Sequence, residues 1–248
     1  TDGGEIALQG RLDTRSEAYG IELRCDSFPL NSFLPADSLG LLDLALQAGG
    51  SGFDPLRAQT RGNIRLQVDR AEFRGRDFGG VKLNANLEGG QLSGRLSDRD
   101  EALRLLLLIS GTLTERKQEV RLTGNVFDFD LAELGISPQK IGGSFALEAG
   151  ASASDAGSYT ARIALDSIEV RTRHRTDRIR PTSLSLSSDT TATRAKLASG
   201  DLSLAFVSPG PVDSLVPALT RSTDILAQQI RAQSVDMEAL KPALPDFS

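Results

Sequence analysis

Residues 81–96 read VKLNANLEGGQLSGRL. Val81, Leu83, Ala85 and Leu87 alternate with Lys82, Asn84, Asn86 and Glu88, and after two glycines Leu92, Gly94 and Leu96 alternate with Ser93 and Arg95. Successive side chains of a strand point to opposite faces, so the stretch predicts a hairpin with one apolar and one polar face. A two-residue turn at Gly89-Gly90 sets the register: Leu87 opposite Leu92, Ala85 opposite Gly94 and Leu83 opposite Leu96. Both arms then share one apolar face, and the question is what that face meets.

The same alternation returns along the chain. Ile21, Leu23 and Cys25 show it, then Leu42, Leu44 and Leu46, then Ile64, Leu66 and Val68. Later come Val120, Leu122, Gly124 and Val126; Phe145, Leu147 and Ala149; Ile163 and Leu165; Leu184 and Leu186; Leu202, Leu204 and Phe206. Gly, Asn, Asp and Ser clusters such as AGGSG and SASDAGS separate them. Many short strands with glycine-rich turns predict a mostly β architecture. Two segments, FPLNSFLPADSLG (28–40) and FDFDLAELGISPQ (127–139), read as short helical turns. From 212 to 240, Leu215, Leu219, Leu226, Ile230, Met237 and Leu240 recur at helical spacing, which predicts an amphipathic helix interrupted near Pro217. Its stripe is expected to pack on the sheet, because its polar face carries Gln and Asp rather than the Lys and Arg that an anionic membrane surface attracts.

Composition narrows the function. The net charge is −5, with 28 basic and 33 acidic residues well mixed, which disfavours nucleic acid as a partner. Hydrophobic residues make up 39 % of the chain but aromatics only 5 %, with no Trp, so Leu, Ile, Val and Ala build the apolar side. No window reaches the roughly 18 apolar residues of a membrane-spanning helix; the run LLLLI at 105–109 is one strand's worth. The chain opens in mid-pattern with GEIALQGRLD, which predicts a piece of something longer. His174 is the only histidine and lies among Arg171, Arg173, Arg175, Arg178 and Arg180, where like charge disfavours its protonated form. Cys25, the only cysteine, sits at an apolar position without a histidine partner. No catalytic residue, metal site or cofactor is expected from this inventory, and the protein is read as non-enzymatic.

A longer period overlies the alternation. Gly10 matches Gly111, Leu12 matches Leu113, and Phe28 and Phe127 open the two helical turns. Ile64 falls on Ile163, Leu83 on Leu184 and Leu96 on Leu197. An offset of about 100 residues predicts stacked copies of one β-rich unit of roughly eight strands. The expected divisions are 1–56, a partial unit; 57–157, a complete one; 158–211, a partial one; and 212–248, the helical segment.

The glycine-punctuated, leucine-alternating strands, the phrase VRLTGNVFDFDLAELG and the closing LASGDLSLAFVSPGPVDSLVPAL resemble the TamB and AsmA-like superfamily of Gram-negative envelope proteins, TamB of the Bacteroidetes type most of all. The resemblance is one of texture and repeat layout over nearly the whole chain. It implies an elongated, curved, antiparallel or mixed sheet folded around an apolar groove (a β-taco) in the periplasm, held by an inner-membrane anchor outside this chain. It further implies phospholipid or another hydrophobic client as cargo, an outer-membrane assembly factor of the TamA or BamA type as partner, and a role in outer-membrane protein assembly or phospholipid transport.

The groove-lining candidates are Leu66, Val81, Leu83, Leu87, Leu96, Leu122, Val126, Phe145, Leu147, Ile163, Leu165, Leu184 and Leu186. Arg171, Arg173, Arg175, Arg178 and Arg180 are read either as a charged hairpin end that protects strand edges or as a rim for phosphate head groups. The alternative to a groove is a fully packed β-repeat array serving as a spacer or adhesin stalk. The scarcity of aromatics, which usually fill the middle of a large β core, favours the groove.

Overall fold

A computed structural model describes residues 4–32, 39–73, 75–154 and 157–211. The expected helix at 212–240, and Arg74, lie outside the described residues. Among the described residues fifteen strands follow one another: β1 (Glu5–Asp13), β2 (Ala18–Pro29), β3 (Leu39–Ser51), β4 (Arg61–Phe73), β5 (Arg76–Phe78), β6 (Val81–Glu88), β7 (Gln91–Arg99), β8 (Leu103–Leu113), β9 (Lys117–Asp130), β10 (Gly142–Ser154), β11 (Tyr159–Arg171), β12 (Thr176–Ile179), β13 (Thr182–Ser188), β14 (Ala192–Ser199) and β15 (Leu202–Pro209).

All belong to one open sheet in the order β1-β2-β3-β4-β6-β7-β8-β9-β10-β11-β13-β14-β15, with β5 paired to β4 and β12 to β11. Each strand on this path pairs with the next along the chain, because short connections let a meander form before any long loop must close. Every pairing is antiparallel, so the mixed arrangement allowed from the sequence is not what forms.

The β6–β7 hairpin has the register read from its turn: Leu83 faces Leu96, Ala85 faces Gly94 and Leu87 faces Leu92. Gly89 and Gly90 have φ of 58° and 74°, the left-handed conformation that a two-residue turn of this twist demands at both positions. The run at 105–109 is the middle of β8.

The two helical turns need correction at their starts, and residues 33–38 of the first lie outside the described residues. Phe28 and Phe127 do not open them, since β2 runs on to Pro29 and β9 to Asp130. Phe28 pairs with Leu42 and Val126 with Phe145, while Phe127 is a bulge residue between paired neighbours, and ladder hydrogen bonds outweigh the local preference for a turn. A 3-10 turn follows at Leu30–Ser32. After β9 comes a compact hydrogen-bonded turn in which the Leu134 amide donates to the Asp130 carbonyl at 2.9 Å and the Ile136 amide to that of Leu131 at 2.9 Å. The short strands β5 and β12 were also missed, because three or four residues carry too little alternation to register.

Candidate functional site: a continuous apolar face

In an antiparallel pair, residues directly opposite one another share a face. The register can therefore be followed from strand to strand. Leu83 faces Leu66 on one side and Leu96 on the other. Leu66 continues through Leu46 and Leu23 to Leu8 at the β1 edge. Leu96 faces Leu107, which faces Gly124, and Gly124 leads to Leu147 and Leu165. The row ends through Thr182 and Ser199 at Leu202. A line of ten leucines, interrupted at Gly124, Thr182 and Ser199, thus crosses the sheet.

Parallel rows hold the other candidates. Leu122 joins through Ala149 to Ile163 and then Leu184. Val81 faces Val68, Val126 faces Phe145, and Leu186 faces Ala161. Every residue named as groove-lining lies on this one face. Alternation then sends Lys82, Asn84, Arg121 and Glu148 to the other.

The face is not covered by a second layer of the described residues. Its buried apolar members are few: Cys25, Leu107 and Val126. Most of the face, Leu66, Leu83, Leu96, Leu122, Leu147 and Leu165 among it, is half-buried, and it is most open at Leu8, Leu202, Ile163 and Leu184, which are 67 %, 52 %, 46 % and 46 % exposed. Isolated exposed leucines are ordinary; a ladder of them on one face is an unpartnered apolar surface. The two faces are not wholly clean. The β8 run places Leu106 and Leu108 on the polar side, where Leu108 is exposed.

Asp98 is the site residue that alternation missed. It lies opposite Leu105 on the apolar side and is only 7 % exposed. Its carboxylate accepts the Asp100 amide at 2.9 Å, while Asp100 accepts the amides of Gly79 at 3.0 Å and Ala102 at 2.8 Å. Burial, aided by the Asp100 charge, holds the Asp98 carboxyl above the usual carboxylate range. The available signal was a charge at an apolar phase in LSDRDEAL. It orders the β7–β8 turn rather than presenting a reactive group.

The arginines expected to act together are mostly tied to carboxylates. Arg171 pairs with Asp128 and, at 3.7 Å, with Glu169; Arg175 pairs with Asp177 at 2.7 Å; Arg180 pairs with Asp201. Arg173 and Arg178 are exposed and make no ion pair with a described residue. β12 folds back on β11 here, setting Thr176 opposite Arg171 and Ile179 opposite Ile168. His174 sits exposed in the connecting turn, its amide donating to Thr172 Oγ1 at 3.4 Å. Cys25 is buried, which pushes its thiol up and away from the reactive thiolate.

Among the described residues no His, Cys, Asp and Glu side chains gather as a metal site would require, and no helix is long and apolar enough to cross a membrane. Compared with protein-family models, with curated proteins and with solved structures, the chain matches none.

Proposed function

We propose that this chain is a periplasmic segment of an envelope-spanning protein of the TamB kind, and that its apolar face shelters phospholipid acyl chains or segments of outer-membrane proteins in transit. The segment is non-catalytic and needs no cofactor. Its inner-membrane anchor, and the regions that meet an outer-membrane assembly factor of the TamA or BamA type, belong to parts of the protein outside this chain.

The observation that carries the proposal is the uncovered leucine row from Leu8 to Leu202. Apolar surface in water costs about 25 cal/mol per Å². A sheet that leaves so much of it open is suited to something apolar that comes and goes. The packed-spacer alternative requires a filled core, and among the described residues only Cys25, Ala102, Leu107 and Val126 are buried apolar side chains.

A repeated unit is part of the reading, and the strand succession supports it. β1 to β7 and β8 to β14 follow the same order, with β5 and β12 folding back on β4 and β11 at the same place. The irregularities recur too. Extra residues interrupt β2 between Cys25 and Phe28 and β9 at Phe127; others fall at Asp69 in β4 and between Asp166 and Glu169 in β11. Such bulges bend and twist a strand, so bulges aligned across neighbouring units bend the sheet along one line and cup a face. The unit holds seven strands rather than eight, six of them on the main path, and so advances about 29 Å at 4.8 Å per strand. An extended acyl chain lies comfortably within that length.

Photo-crosslinking tests the proposal. A photoreactive residue at Leu122 or Leu147 should capture lipid or a client polypeptide in the cell envelope, whereas one at Arg121 or Glu148, on the opposite face, should not. Capture at neither apolar position, with the variants folded and localised, would defeat the conduit reading.

A further inference from the structure

The polar face carries a feature that the apolar face does not explain. Across β9 to β15 one cross-strand row reads Arg121, Gly150, Arg162, Ser185, Lys196, Ala205, so that a cation alternates with a small residue. A depression of about 640 Å³ follows this row. Its lining holds two polar-face rows and the row between them, Val120, Ala151, Ala161, Leu186, Ala195 and Phe206, whose side chains point to the other face; it omits Leu122, Ile163, Leu184, Leu197 and Leu204 of the next apolar-face row, and this places it on the polar face. The small residues of the row belong to its lining, as do Ser152, Thr160 and Ser187 of the adjoining polar row, which contribute hydroxyls.

The charges are spaced, and two of the four are not engaged by a described carboxylate. Arg162 and Lys196 are exposed and make no ion pair with a described residue. Arg121 is 3.5 Å from Glu119 and Arg194 is 3.5 Å from Asp189. Cations on alternate strands stand about 10 Å apart, twice the strand spacing. The lining includes Arg121, Arg162, Arg194 and Lys196 against Glu119 and Glu148, a locally basic trough on a chain whose net charge is −5.

We propose that this trough binds a linear acidic glycan, with one carboxylate per disaccharide, laid across the strands. The spacing decides the class. A disaccharide repeat of an extended glycan advances by about the distance between alternate strands, so successive carboxylates meet Arg121, Arg162 and Lys196 while neutral sugars lie over Gly150 and Ser185. A nucleic-acid strand carries a charge about every 3.4 Å, far too dense for this row. Glu119 and Glu148 repel such a polyanion but accept hydrogen bonds from sugar hydroxyls.

Calorimetric titration of the full chain with hyaluronate oligosaccharides, which carry one carboxylate per disaccharide, tests this. Neutral chito-oligosaccharides, oligogalacturonate with an acid on every sugar, single-stranded DNA and phosphatidylglycerol vesicles are the comparisons. Hyaluronate fragments of three or more disaccharides should bind best, and the affinity should fall as salt rises. The double variant Arg162→Gln/Lys196→Gln should lose tenfold or more. Arg162→Lys/Lys196→Arg should keep most of the binding, and Arg95→Gln, elsewhere on the polar face, should change little. These side chains are exposed, and circular dichroism checks that each variant remains folded. The proposal is overturned if hyaluronate does not bind, if the double variant binds it as well as the parent does, or if any comparison ligand binds as tightly as hyaluronate through the same two residues.

Discussion

Leu107 stands directly opposite Gly124 where the leucine row crosses from β8 to β9. A Cβ on Gly124 would lie 2.0 Å from the Leu106 carbonyl oxygen and 2.9 Å from Leu107 Cα, both backbone atoms with no freedom to yield. Gly124→Ala should therefore destabilise the sheet by roughly 2 kcal/mol or more, read as a lower urea midpoint. Gly20 has nothing within 4 Å of such an atom, and Gly20→Ala should leave stability within about 0.5 kcal/mol or raise it.

The apolar face should show a gradient of packing cost. Leu107 is buried, and Leu107→Ala should cost about 2–4 kcal/mol in denaturant unfolding. Leu184 belongs to the same face but is nearly half exposed, so Leu184→Ala should cost less than about 1 kcal/mol. Equal losses at the two positions would mean that a second layer covers Leu184.

Inward charges separate structure from function. Leu184→Asp can keep its carboxylate hydrated, so the variant should remain folded by circular dichroism. On the conduit reading it should nevertheless fail to support outer-membrane integrity, because a charge on the face interrupts apolar contact worth about 0.8 kcal/mol per methylene. A folded variant with full function would count against the conduit.

Asp98 should make stability pH-dependent in a recognisable direction. Its folded-state carboxyl titrates above the ordinary value of 3.8, so the folded chain holds that proton more tightly than the unfolded chain does. The resulting stabilisation is complete below 3.8 and is lost as pH rises through the raised folded value. Asp98→Asn keeps an oxygen for the Asp100 amide and removes the titration. Urea midpoints measured from pH 3.5 to 8 should decline through this window less steeply for the variant than for the parent.

Asp189 should behave oppositely. In the β13–β14 turn its carboxylate accepts the Thr191 hydroxyl at 2.5 Å and the amides of Thr191 at 2.7 Å and Ala192 at 2.9 Å. Led by the Thr191 hydroxyl, these bonds bring its carboxyl down to about 2. The turn is therefore secured above the ordinary 3.8 and loosens as pH falls through about 2. A carboxyl-carbon NMR titration should place the Asp189 midpoint near that value, and Asp189→Ala should speed hydrogen exchange of the Thr191 and Ala192 amides.

Much of the architecture was legible from residue order. Alternation located the long strands, and Gly89-Gly90 gave the pairing of Leu83 with Leu96, because a two-residue turn leaves one choice of register. Period two also assigned every groove-lining candidate to a common face, since a strand's side chains have only two directions to take. The ends of β2 and β9 were misread, because Phe28 and Phe127 suit a turn locally, and only neighbouring strands pair Phe28 with Leu42 and carry Phe127 as a bulge between the paired Val126 and Asp128.

What the chain by itself determined is which side chains are apolar, which strands they sit on, and that neighbours in sequence become neighbours in the sheet. Only the tertiary structure decided that the described strands join one antiparallel sheet, that its apolar face carries no second layer of described residues, that Asp98 is buried on that face, and that Arg171, Arg175 and Arg180 find carboxylates while Arg162 and Lys196 find none among the described residues. The physical reason is one of range. Alternation and turn chemistry act between residues a few positions apart, whereas burial and ion pairing depend on which distant strands come side by side, as Arg171 and Asp128 do across 43 residues.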